Sequence, residues 1–220
     1  MTDERSTGRE RLHRLWRDLV GKPQDGPLWE SVRAGHPPFV DAVVADARIT
    51  ARLRGDRHEF RSGLDAGLQA VRLAIVSDAF LAQICYRAKA ACQARRIPFV
   101  PRVFHRLAMV TGQVAIGDPV VVRPGVYIPH GQVVVDGLVE VGEGVVLFPW
   151  VTIGLVGGKL GGPTLGPHSR IFSGAKVIGP VRVGTGARVG ANAVVLEDVP
   201  DHTTVVGAPA RPTGASASVG

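Results

Sequence analysis

A six-residue period dominates the second half of this chain. From Leu165 onward the sequence divides into LGPHSR, IFSGAK, VIGPVR, VGTGAR, VGANAV and VLEDVP. The first position of these units is Leu165, Ile171, Val177, Val183, Val189 and Val195. The fifth is Ser169, Ala175, Val181, Ala187, Ala193 and Val199. Aliphatic and mostly small residues therefore recur every six, which fits neither the 3.6-residue period of a helix nor the two-residue alternation of a hairpin meander. A three-sided parallel coil accounts for it. Each unit gives one short strand and one corner, with the aliphatic side chain inward and the small residue where the backbone turns. Stacked coils share a column-like core. The register continues upstream at Val135, Val141, Leu147 and Ile153 and, offset by one residue, at Ile116, Val122 and Ile128. The fold expected for residues 112–207 is a left-handed parallel β-helix.

Two places break the repeat. One residue is inserted near Val134, just after PHGQV, and the unit KLGGPT beginning at Lys159 lacks both its aliphatic and its small position. A solenoid that departs from its own rule is expected to project a loop there, and loops are where it carries chemistry.

The first half has helical spacing instead. In ERLHRLWRDLVG, the residues Leu12, Leu15, Trp16, Leu19 and Val20 fall on one helix face, and Gly21 ends it. Pro37 and Pro38 open a second helix through Val40, Val43 and Val44 to about Leu53. A third helical stretch covers about residues 64–94, with Ser77 and Asp78 as a point of division. Pro98 and Pro101 bracket a break before RVFHRLAMV. The change of texture at Thr111 and Gly112 predicts an all-α N-terminal domain over 1–111, the coil over 112–207 and a C-terminal tail over 208–220.

Composition agrees with this division. Aromatic residues are 5% of the chain, against 28 Gly and 16 Pro, which suits a small-residue coil better than an aromatic-packed sandwich. No run of about 18 apolar residues exists, so no transmembrane helix is expected. The opening MTDERSTGRERLHR lacks an apolar h-region, so a cytoplasmic protein is expected. Cys85 and Cys92 share one predicted helix about 10.5 Å apart, too far for a disulfide, and read as packing residues. The net charge of +7 lies wholly in the first half, with 19 Lys+Arg against 12 Asp+Glu in residues 1–111. These charges are interleaved, and no recognition helix, RNP or zinc signature accompanies them. A solvated helix surface is expected, with no nucleic-acid partner.

The stretches AFLAQICYRAKAACQARRIPFVP, VAIGDPVVVRPGVYIPHG, VEVGEGVVLFPWVTIG, GGPTLGP, SGAKVIGPVRVG and VGANAVVLEDVPDHTTVVGAPAR resemble the hexapeptide-repeat acyltransferases, most closely the serine O-acetyltransferases. The resemblance covers roughly residues 80–211. It implies transfer of an acetyl group from acetyl-CoA to the hydroxyl of a small acceptor, serine or a serine-like amino acid first, without a metal. His130 matches the family's general base, a role suited to a group that titrates near neutrality. Gly174 and Ala175, with Gly190 and Ala191, match the corners along which the family lays the pantetheine arm. Arg211 matches a basic residue near the nucleotide phosphates. Asp46, in ADARITARLRGD, resembles an acceptor-binding aspartate. The resemblance also implies a homotrimer with sites between neighbouring columns, or a hexamer formed by two trimers through the helical domain.

This chain departs from the family at the serine-recognition positions. Pro129 stands where the family has Asp before the catalytic histidine, and Ala115 stands where it has the aspartate that orients that histidine. Gly161 and Gly162 replace an Arg-His pair. Asp118 or Asp136 could orient His130 by a different geometry. With the serine set replaced, free L-serine is expected to be a poorer acceptor than the true substrate. Other readings of the fold are a sugar O- or N-acetyltransferase, a catalytically inactive scaffold, and a zinc carbonic anhydrase. The last requires three converging histidines, and their paired spacing is absent here.

Overall fold

The computed structural model describes residues 24–157 and 161–213, so the helix expected over Leu12 to Val20 lies outside the described residues. Among the described residues five helices come first: α1 (Pro27–Gly35), α2 (Phe39–Leu53), α3 (Gly63–Val76), α4 (Phe80–Ala94) and α5 (Val100–Gly112). The division expected at Ser77 and Asp78 separates α3 from α4. Ser62 caps α3 by accepting a hydrogen bond from Asp65 N. The short α1 was not foreseen. It opens with Pro27, which is well suited to a first helical turn, and only Val32 on it is buried, too little for a periodic signal. No described helix is long and apolar enough to cross a membrane.

The chain then visits three sheets in rotation. The first holds β1 (Val114–Ile116), β3 (Val133–Val135), β6 (Thr152–Gly154), β9 (Lys176–Ile178) and β12 (Val194–Val195). The second holds β2 (Val121–Val122), β4 (Leu138–Val141), β7 (Gly161–Leu165) and β10 (Arg182–Val183). The third holds β5 (Val146–Leu147), β8 (Arg170–Ile171), β11 (Arg188–Val189), β13 (Thr204–Val206) and β14 (Arg211–Pro212). All pairings are parallel except β13 with β14. Inside the coil, Val135, Ile153, Val177 and Val195 stack along one sheet and Val141, Leu165 and Val183 along another, all buried. Each such side chain contributes about 1.5–3 kcal/mol through burial.

The KLGGPT unit behaves differently from expectation over the part described. Gly161 to Thr164 lie in β7 rather than in a projecting loop, with a register irregularity opposite Leu138 and Glu140. Gly162 permits this, since a Cβ there would come within 2.7 Å of Val139 Cγ2 and 2.9 Å of Leu138 O. Pro163 takes the buried position normally held by a small residue.

The first coil has no coil before it, so its backbone edge needs partners from elsewhere. Helix α4 supplies them. Gln83 Nε2 donates to Val126 O, Tyr86 OH to Val120 O, Arg87 to the carbonyls of Val122 and Arg123, and Lys89 Nζ to Ile116 O. Ala79, Ala82, Cys85, Tyr86 and Ala90 of the same segment join the apolar column. This corrects the expectation of a wholly solvated helical surface. Arg87 and Lys89 are buried because the coil's open edge offers carbonyl oxygens to their charges. Cys85 is buried and Cys92 half-buried, and both are free thiols.

Candidate active site

Paired registers locate the inserted residue. Tyr127 pairs with Val146, nineteen positions on, whereas Val135 pairs with Ile153, eighteen on. The extra residue therefore lies in the turn between Tyr127 and Val133, which contains His130. This turn heads a column of corners made by residues 148–150, 172–174 and 190–192. The column is tied by Trp150 N donating to Gln132 O, Gly174 N to Pro149 O and Asn192 N to Ser173 O. Its left-handed residues Gln132, Trp150, Gly174 and Asn192 repeat coil by coil.

Three segments meet at His130. Gly131 has φ +78°, and a Cβ there would overlap Gly112 O at the end of α5. A Cβ on Gly112 would in turn lie 2.8 Å from Ala82 Cβ and 3.3 Å from Asp78 O. Two glycines thus let the histidine turn, the end of α5 and the start of α4 pack backbone to backbone. Gln132 N donates to Gly112 O at 3.2 Å. Across this junction His130 Nδ1 lies 2.9 Å from Asp78 Oδ2, and both side chains are exposed. Tyr127 stands nearby. Burial pushes its phenol up, with Arg54 acting to lower it and Asp78 to raise it.

Farther along the same edge, the rings of Phe148 and Phe172 stack at 4.9 Å, and Trp150 is exposed beside them. Gly174 lies at this edge with φ +75° against Asn192, and Gly190 and Ala191 form the next corner. Ala175 differs from expectation. It is 0% exposed, its N–H donates to Phe172 O and its carbonyl accepts from Thr152 N, so it packs the interior. Arg211 is exposed on β14, and its Nη1 lies 3.4 Å from Glu197 Oε2.

Asp46 requires a correction. It is 1% exposed, accepts from Arg87 Nε at 2.8 Å and Nη2 at 3.0 Å, and also accepts from Val126 N at 3.0 Å. Burial acts to lower the Arg87 pKa, but the Asp46 charge and hydrogen bonds hold it above its usual value. Asp46 therefore joins α2, α4 and the first coil, and it presents no free carboxylate to an acceptor. Asp118 does not reach His130 either. It pairs with the buried Lys89 at 2.9 Å and accepts from Gln24. Asp136, Asp118 and Ala115 line a separate cleft with His105 and Arg106. Pro129 is buried. Asp78 was visible in the sequence only as a helix divider, because nothing local marks a residue 52 positions away as a neighbour of His130. Among the described residues, no three metal-ligating side chains come together.

No family model matches the chain. It is 40% identical over 133 residues to a serine acetyltransferase of Helicobacter pylori, covering 59% of this chain and 78% of that protein. It is 40% identical over 120 residues to the serine acetyltransferase of Bacillus pumilus, where the match spans 53% of this chain and about half, 55%, of the relative. Among solved structures, soybean serine acetyltransferase complexed with serine superposes with a TM-score of 0.68 at 28% identity, covering 84% of this chain and 74% of that one. A serine acetyltransferase in complex with CoA shares the fold, with a TM-score of 0.66 at 23% identity over 90% of this chain and 81% of that one. The H. pylori match, at 40% identity over 78% of that protein, shows that the chain belongs to the serine acetyltransferase family.

Proposed function

We propose that this protein moves an acetyl group from acetyl-CoA to the hydroxyl of serine or a serine-like amino acid, with His130 as general base. The observation that carries the reading is the shared edge: His130 heads the column of corners that continues through Gly174 to Gly190 and Ala191. Nε2 of His130 takes the hydroxyl proton as the acceptor oxygen attacks the thioester carbonyl. The tetrahedral intermediate then collapses by breaking the C–S bond, and the departing thiolate recovers the proton from His130. The products are the O-acetyl ester and CoA. Backbone groups at Gly174, Gly190 and Ala191 would line the pantetheine arm, and Arg211 would meet the phosphates.

The rotation of the chain through three sheets supports a left-handed β-helix; domains at 1–111 and 112–207, a tail at 208–220 and a cytoplasmic location belong to the same proposal. His130 is exposed on an outer edge, so a neighbouring column would enclose the acceptor. This favours a homotrimer, or a hexamer made of two trimers, and light scattering should give at least roughly 70 kDa, three times the 23.2 kDa chain. A mass of one chain would end the shared-site model. The chemical test is CoA release with L-serine and serine-like amino acids. His130→Ala should lower turnover by roughly 100-fold or more while acetyl-CoA still raises the thermal midpoint. Unchanged turnover in that variant would remove the mechanism.

A further inference from the structure

A histidine base works in one tautomer, with the proton on Nδ1 and the lone pair of Nε2 directed at the acceptor. We infer that Asp78 imposes this tautomer and is the positioning residue of the site, an assignment that rests on the His130 reading. An ionised carboxylate only accepts hydrogen bonds. At 2.9 Å, His130 Nδ1–H therefore donates to Asp78 Oδ2, which leaves Nε2 free to take a proton.

The packing holds this contact in place from both sides. Gly131, next to His130, lies against Gly112, and Gly112 lies against the backbone of Asp78 and Ala79. Helix α4, which follows Asp78, is fixed to the first coil by Gln83, Tyr86, Arg87 and Lys89. The position where family resemblance places the orienting carboxylate is Ala115, whose methyl group cannot accept a hydrogen bond. Asp118 is engaged by Lys89. The carboxylate thus comes from the turn between α3 and α4, so the base is complete only while the helical half is docked on the coil. Tyr127 also senses the Asp78 charge, which acts to raise its phenol.

The test compares Asp78→Asn, Asp78→Glu and His130→Ala in the full-length protein. Loss of one charge-assisted hydrogen bond should lower kcat about 10- to 100-fold in Asp78→Asn, with the KM for acetyl-CoA nearly unchanged. Asp78→Glu should recover part of the rate. Histidine 15N spectra give a readout independent of acceptor: His130 should be Nδ1-protonated in the wild type and gain the Nε2–H form in Asp78→Asn. Wild-type kcat together with unchanged 15N shifts in Asp78→Asn would overturn the assignment while leaving His130 as base. Activity surviving in His130→Ala would instead defeat the base reading itself.

Discussion

Asp46→Asn removes one negative charge from the most buried ion pair among the described residues while keeping the side chain's shape. Asp46 and its partner Arg87 are 1% and 3% exposed, so water cannot screen what remains. The guanidinium would keep its bonds to the carbonyls of Val122 and Arg123 but lose its counter-ion, and Val126 N would face a neutral group. Breaking one side of a buried pair costs about 3–5 kcal/mol, mainly because the surviving charge is left without compensation. For a chain of this size that corresponds to a fall of roughly 6–20 °C in the thermal midpoint. Replacing both residues, as in Asp46→Leu with Arg87→Met, strands no charge but leaves Val126 N and the carbonyls of Val122 and Arg123 unpaired, so it should recover only part of the loss. The measurement is urea and thermal unfolding of Asp46→Asn and of the double variant, alongside KM for serine. Asp46→Asn should unfold early yet keep its serine KM below the transition. A stability loss under about 1 kcal/mol combined with a large rise in serine KM would refute this reasoning and return Asp46 to the acceptor site.

His36 should make the protein acid-sensitive. Burial, then Lys89, Arg87 and Arg123, lower its pKa from 6.5 to about 4. The unfolded chain therefore binds the extra proton first, so this contribution is complete above pH 6.5 and is lost as pH falls toward 4. It amounts to about 3 kcal/mol. Urea midpoints of wild type and His36→Met should diverge from pH 7 to pH 4.5, and parallel curves would exclude His36 as the cause. At the other end of the coil, Glu197→Gln should free Arg211 for phosphate and tighten CoA binding about two- to fivefold at low salt. Calorimetry showing equal affinity in both proteins would take Arg211 out of that role.

The helices over residues 39–53, 63–76, 80–94 and 100–112 were legible because each carries its own spacing and punctuation, and the stop at Gly112 adjoins the first strand. The slip in register was legible too, since a period of six makes one extra residue conspicuous, and the pairings confine it to the turn bearing His130. Arg87 and Lys89 were misread as solvated because helical spacing reports a face but not what covers it. Gly161 and Gly162 suggested a loop because their lack of side chains hides a strand whose fit depends on close backbone approach.

The repeat by itself determined the coil, because each aliphatic position is satisfied by a neighbour one turn away and needs no distant partner. Its register slip marked the neighbourhood of His130, whereas the roles of His130 and of the corner glycines were implied by the family resemblance. Tertiary structure alone decided which charges would be buried and which carboxylate would meet the histidine. Asp46 with Arg87, and Asp78 with His130, are separated by 41 and 52 positions and carry no shared period. Their pairing follows from how α4 closes the open edge of the first coil. That closure is a matter of three-dimensional hydrogen bonding, in which buried carbonyls and charges must find one another.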